Sequence, residues 1–448
     1  MYKYEILSQL NKAKGKDKHR FHMPGHKNSG DFRSRFPVAP IDLTELDITD
    51  DLSCPSDVIK KAQEDIAEIL GAKRAFITTD GSSSGVMAML FTAQAYGNKI
   101  IVPRNSHKSV FNACRLFNIE PVIVQGAEVE GVLTPPSAEL IETLIVNDVN
   151  ISGMIITSPD YYGNIAPLET YAQVLSKYDR LLFVDGAHGG HLALNEYKMG
   201  YAGVYADMWV DGVHKTLPAL TQGAVVCVNN EKLIARAQEA LDIFRTTSPS
   251  FPIMASVEYS VKYFVNNPKF LARAMNAVNE LKAGLEGITL YPSQDWTKFA
   301  VDFKPLGISP YLAQQLLEKK GVYPELNDGR YILFYLSPSV EPYHLAELKN
   351  VLLWVCAQRK LQNTYADVPA LPAADRTYSF LYAYRQKTEA VPLKQAVGRM
   401  CADNAGVTPP CLPVVIAGEI ISEQAVQVLS KAKQTFGVVN GKINVVKK

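Results

Sequence analysis

Leu181-Leu182-Phe183-Val184-Asp185-Gly186-Ala187-His188 decides how this chain is read. Four apolar residues in a row, without alternation, describe a strand buried on both faces, as in parallel sheets covered by helices. The carboxylate that ends the run has left water and needs a cationic partner. In open α/β sheets ligands sit beyond the carboxyl ends of the strands. Similar short apolar runs surround this one: Ala75–Thr78, Lys99–Val102, Pro121–Val124, Met154–Thr157, Met208–Val210 and Ala224–Val228. Helical stretches fill several of the gaps, including Ser83–Tyr96 and Lys108–Phe117. The expected class is α/β, with a mostly parallel seven-stranded sheet covered by helices on both faces.

Outward from that sheet, residues 1–50 read as an N-terminal arm with little periodicity, punctuated by Pro24, Gly25, Gly30, Pro37 and Pro40. A helix enters at Pro55-Ser56-Asp57, runs amphipathically from Ile59 to Leu70 and can end at Gly71. A large domain is expected over 51–285, closing with a long helical stretch, Ala255–Leu285. A small α+β domain then covers 286–365, and a C-terminal module covers 366–448. The 448 residues carry 47% hydrophobic and 20% charged side chains and a net charge of +1, so no overall field draws nucleic acid or an anionic membrane. The Lys-rich start, Lys12 to Arg20, reads as a solvated face. Cysteines at 54, 114, 227, 356, 401 and 411 form no CxxC pair, which argues against a zinc ribbon or a disulfide framework. With no signal-peptide core after Met1 and no run of membrane-spanning length, the expected setting is the cytoplasm.

Four segments carry chemistry. Gly81-Ser82-Ser83-Ser84-Gly85 follows a predicted strand and opens a helix, where backbone N–H groups, the helix dipole and the hydroxyls would cradle a phosphate. The same residues match the G-x-S-x-G elbow of serine hydrolases, with Ser83 as nucleophile and Asp185 and a later histidine behind it. They also suit a plain turn that lets the helix approach the sheet, and the motif alone does not choose. Asp185 fits a protonated pyridine nitrogen, whose proton it would retain so that the ring accepts electrons; it equally fits a capped turn. His188 and His191 have H-x-x-H spacing, but Gly189 and Gly190 between them oppose a rigid metal site, and no metal is expected. In Asp211-Gly212-Val213-His214-Lys215-Thr216-Leu217-Pro218, a lysine past a strand end and followed by apolar residues is badly placed for solvation. Desolvation would lower its pKa and make it a nucleophile towards an aldehyde, although most lysines lie on the surface. Finally, His22 and His26 bracket Pro24-Gly25, which excludes a zincin helix and fits either a loop at an active site or a packed turn.

Taken together the segments resemble the short form of the Orn/Lys/Arg decarboxylase family. The resemblance runs through Phe21-His22-Met23-Pro24-Gly25-His26-Lys27, Asp42-Leu43-Thr44-Glu45-Leu46, Asp50-Asp51-Leu52 and Arg104-Asn105-Ser106-His107-Lys108-Ser109. It continues in Pro159-Asp160-Tyr161-Tyr162-Gly163, Asp185-Gly186-Ala187-His188, the run from His214 to Gly223, Thr246-Thr247-Ser248-Pro249-Ser250 and Pro409-Pro410. Several motifs in order are far more specific than any one of them.

That resemblance implies a pyridoxal-phosphate (PLP) enzyme with an aspartate-aminotransferase-like fold. It further implies a homodimer, or an assembly of dimers, with active sites at the interface. Lys215 would form the Schiff base, Asp185 would pair with the pyridine nitrogen, and His107 would stack on the ring with His188 near the reacting carbon. Gly81, Ser82, Ser83 and His214 would hold the phosphate, helped by Ser248 of the partner chain, and Glu325 would receive the distal cation of the substrate. The implied activity is decarboxylation of lysine, arginine or ornithine to the amine, a carbon–carbon lyase reaction leading to a polyamine or its precursor. Transamination or β-elimination on the same scaffold, and the Ser83 hydrolase, are the alternatives. Four positions depart from the family pattern. Gly212 replaces the usual Ser and Asp211 a common Gln, which would lose a hydroxyl to the phosphate and bring a negative charge near it. Asp160 replaces Thr, and Cys411 replaces Gly.

Overall fold

A computed structural model of the chain describes residues 1–195, 198–358, 378–408 and 411–447. Its main sheet consists of β1 (Arg74–Thr78), β2 (Lys99–Pro103), β3 (Glu120–Val124), β4 (Ile151–Thr157), β5 (Leu181–Gly186), β6 (Met208–Asp211) and β7 (Ala224–Val228). They lie in the order β1-β7-β6-β5-β4-β2-β3, and only β7 runs antiparallel to its neighbours.

The unalternating apolar runs are explained by two cores, one on each face. Ile77, Ile101, Met154, Val184 and Val225 pack with the helices Val58–Leu70 and Phe251–Asn266. Phe76, Ile100, Val102, Ile155, Phe183 and Val226 point the other way, against the helices Gly81–Ala93 and Lys108–Leu116. Each such side chain contributes about 1.5–3 kcal/mol by leaving water. The strand β4 starts three residues before the expected Met154. Gly153 interrupts the apolar pattern, but the strand has no room for a side chain there, since a Cβ would lie 2.0 Å from the Leu181 carbonyl oxygen.

The helical stretch Ala255–Leu285 is built of two helices, Phe251–Asn266 and Pro268–Ala283, because Pro268 has no N–H and keeps Asn267 out of helical geometry. The arm of little periodicity contains one periodic segment. Glu5–Lys16 is a helix that buries Ile6, Leu10 and Ala13.

Beyond the main sheet, β8 (Thr289–Leu290), β9 (Lys298–Asp302), β10 (Leu326–Asn327) and β11 (Tyr331–Tyr335) form an antiparallel sheet in the order β8-β9-β11-β10. Near the C-terminus come two three-stranded sheets. One joins β12 (Thr388–Pro392) to β17 (Lys442–Val446) and β16 (Val438–Val439); the other joins β14 (Leu412–Val415) to β13 (Ala405–Val407) and β15 (Thr435–Phe436). The architecture is therefore the expected α/β class with smaller sheets after it. The expected 365/366 boundary and the Pro409-Pro410 motif lie outside the described residues.

Candidate active site

A cavity of about 910 Å³ opens at the carboxyl ends of β4, β5 and β6, where Thr157 and Asp185 are register partners and Lys215 follows the last strand. It gathers Gly81, Ser82, Ser83, His107, Asp185, His188, His214, Lys215 and Glu325. Ser248 is exposed and lies outside it.

Lys215 sits on the single helical turn Val213–Thr216. Its Nζ is 3.4 Å from His188 Nε2 and 5.9 Å from the centre of the Tyr161 ring. Burial lowers the pKa of this amine, while Asp185 and then Glu325 pull the other way. His188 is wedged between Tyr161, at 4.6 Å between ring centres, and Tyr335, at 5.3 Å and edge-on. Burial and then the charge of Lys215 hold its pKa well below the ordinary value, so the ring is neutral and Nε2 can accept a hydrogen bond from the amine.

Asp185 accepts one N–H, from Ala187 at 3.2 Å, and burial raises its pKa against the pull of Lys215. A buried carboxylate with so few donors calls for a cation. His107 caps the helix Lys108–Leu116, its Nδ1 accepting the Ser109 N–H at 3.2 Å. Burial, then Lys215 and Lys108, push its pKa down to about 4, which leaves a neutral, flat ring on the cavity wall.

The glycine-rich turn resolves into two jobs. Gly81 has φ +75° and open space around it, so its conformation rather than crowding requires glycine, and Ser82 and Ser83 follow in the first helical turn. A Cβ at Gly85 would lie 2.5 Å from Val210 Cγ2, so Gly85 serves the close packing of helix on sheet. Ser83 has an ordinary negative φ, not that of a strained elbow, and among the described residues no histidine hydrogen-bonds its hydroxyl. The hydrolase arrangement is not formed. Nearby, His214 lines the cavity and gives its Nδ1–H to the Gly223 carbonyl at 3.0 Å.

The departures from the family pattern read differently in three dimensions. Asp211 brings no charge to the expected phosphate cradle. It points away from the cavity, accepting from Tyr201 Oη at 2.6 Å and Trp209 Nε1 at 3.1 Å, and burial raises its pKa to about 7. At Gly212 a Cβ would lie 2.5 Å from the Ala187 carbonyl oxygen, so the position excludes a serine unless the backbone beside His188 shifts. Asp160 ties its loop into a turn, accepting the N–H groups of Tyr162 and Asn164 and the Asn164 side chain at 2.7 Å; burial raises its pKa to about 6. Cys411 holds φ +62°, a backbone that glycine adopts more easily.

The remaining histidines pair elsewhere. His22 pairs with Asp17 and His26 with Asp42, and neither lines the cavity. His191 turns away from His188 to Asp295 at 2.8 Å. Sequence reasoning assigned no role to Tyr161, although its motif was visible, and had no signal for Tyr335, which reaches the site only through β11.

Comparison with known proteins bears on the family and the fold. The family described as Orn/Lys/Arg decarboxylase, major domain, matches residues 5–292, and its C-terminal domain matches 359–437. The Bacillus subtilis protein named YaaO is 31% identical, over 93% of this chain and 91% of its own length. An arginine decarboxylase of Halalkalibacterium halodurans is 31% identical, over 90% of this chain and 88% of its own. Among solved structures, the Francisella novicida lysine decarboxylase LdcF superposes with a TM-score of 0.82 at 17% identity, covering 99% of this chain and 81% of that one.

Proposed function

Since the chain belongs to the Orn/Lys/Arg decarboxylase family, we propose that it decarboxylates a basic L-amino acid (lysine, arginine or ornithine) with pyridoxal 5′-phosphate held at Lys215. The observation that carries the reading is a buried amine, with lowered pKa, sharing one cavity with the Asp185 carboxylate and a helix N-terminus of open glycine and serine. These residues fit the cofactor. Gly81, Ser82, Ser83 and His214 would take its phosphate, Asp185 its ring nitrogen, and His107 its ring face. When bound, the cofactor supplies an electron sink for the carbanion left as carbon dioxide departs.

The chain's own part is to hold and exclude. Burial makes the neutral, nucleophilic form of the Lys215 amine easier to reach, and neutral His188 accepts a hydrogen bond from it. Tyr161 and Tyr335 keep bulk water from that pair. Glu325, on the cavity wall, would receive the distal cation. We also propose a homodimer in the cytoplasm, in which exposed Ser248 serves the partner's phosphate cradle, and domains at 51–285, 286–365 and 366–448. Among the described residues no helix is long and apolar enough to cross a membrane.

The test is Lys215→Ala, expected to abolish both a visible, borohydride-sensitive absorption and amine production. Retained turnover overturns the assignment. Carbon dioxide release measured from lysine, arginine and ornithine in parallel then names the substrate, and a transamination product without release from any of them refutes decarboxylation. Glu325→Gln should raise KM at least tenfold, the loss of one charged contact, and leave the absorption unchanged. If the absorption goes instead, Glu325 does not read the substrate.

A further inference from the structure

Arg104 belongs to the motif that presents His107, yet it takes no part in the cavity. It stands just after β2, 1% exposed, and its guanidinium forks onto both carboxylate oxygens of Glu419, which is 2% exposed. The same guanidinium donates from Nη2 to the Val414 carbonyl at 2.9 Å, and Glu419 also accepts the Ile416 N–H at 2.8 Å. A second tie runs alongside, from the Lys108 N–H to the Cys411 carbonyl at 3.1 Å. Residues 104 and 108 therefore bracket His107 from both sides, and both are held by the C-terminal segment. That segment also reaches the catalytic cavity, through Val407, Thr408, Leu412, Lys431 and Gln434.

From this bracketing we infer that Glu419, acting through Arg104, is a positioning residue that sets the His107 ring against the cofactor. The C-terminal segment is then part of the active site of its own chain. A buried bidentate pair fixes orientation as well as distance, which a single lysine contact would not. Its function is geometric: a ring displaced by a fraction of an ångström loses its stacking, while the reacting groups at Lys215 and Asp185 stay where they are. The inference rests on the proposed cofactor site.

The experiment is a double-mutant cycle on cofactor affinity. Apoprotein is titrated with pyridoxal phosphate, and the visible absorption is read for the unsubstituted chain, Glu419→Asp, His107→Ala and the double variant. Glu419→Asp keeps the charge and shortens the reach. It is expected to weaken binding roughly tenfold, about the size of one stacking contact, and to add nothing in the His107→Ala background. Additive weakening, or an unweakened Glu419→Asp, overturns the inference. Should Glu419→Asp fail to unfold cooperatively, Arg104→Lys, which keeps the charge and loses the fork, takes its place in the cycle, and additivity or unweakened binding overturns the inference there too. No absorption in the unsubstituted chain overturns the cofactor reading and this inference with it; additivity with the absorption intact overturns this inference alone.

Discussion

Asp211 shows what burial does to one residue. Its carboxyl is 1% exposed, held by two aromatic donors, and burial moves its pKa up to about 7. A group whose folded pKa lies above its unfolded value near 3.8 binds more protons in the folded state between those values. The stability it contributes is complete below about pH 4 and is lost as pH rises through 7. Asp211→Asn removes that dependence. Unfolding curves of the two proteins should diverge from pH 4 to 7 by an amount on the order of a few kcal/mol in favour of the variant, and run parallel above. A difference that does not change with pH refutes the assignment. Lys215 and His188 follow the same physics with opposite sign, since burial depresses a cationic acid.

At the level of elements, the helix Glu5–Lys16 shows a cap supplied from far along the chain. Its N-cap position, Tyr4, has no capping side chain. Instead Glu258, 0% exposed and 253 residues from Glu5, accepts the N–H groups of Glu5, Ile6 and Leu7, and Lys262 pairs with it at 2.9 Å. The carboxylate at the positive end of the helix and the cation behind it leave no buried charge unpaired. Glu258→Ala should cost roughly 3–5 kcal/mol in a urea titration and expose the first sixteen residues to limited proteolysis. An unchanged digestion pattern would show that apolar contacts of Ile6 and Leu10 alone dock the helix.

At the scale of the whole molecule, the link between the main sheet and the sheet of β8–β11 is electrostatic as well as apolar. His191, after β5, meets Asp295, before β9, at 2.8 Å, both 0% exposed, and Lys298 stands 3.5 Å from the second oxygen. Burial pushes the Asp295 carboxyl up, but His191 and Lys298 more than reverse this and hold it below the ordinary carboxylate range. Lys298 also lies 4.3 Å from the Tyr335 ring, so the link ends at the ring that packs edge-on against His188. Asp295→Asn should lower stability by roughly 3–5 kcal/mol near neutral pH. Because a lowered pKa contributes stability that is lost as pH falls below about 4, the deficit should shrink in acid unfolding curves. A deficit constant down to pH 3 would count against the ion pair.

All seven strands of the main sheet were legible in the sequence, as were Gly81, Asp185, His188, His214 and Lys215; the fold brings these five to one cavity with His107, which only the family resemblance singled out. These signals are local: apolar runs, turn glycines, and chemistry at strand ends, each contained in a few consecutive residues. Where the fold crossed long separations, the sequence was silent. Tyr335 against His188, Glu258 over residues 5–7 and Glu419 on Arg104 join positions more than a hundred residues apart, and Asp211 faces Tyr201 and Trp209 rather than the cradle. The chain by itself determined the strands and the strand ends at which the candidate residues stand, because periodicity and backbone sterics act between neighbours. Only the tertiary structure decided which side chains face each other and how far each charge is buried, because those depend on packing between surfaces that sequence spacing does not encode.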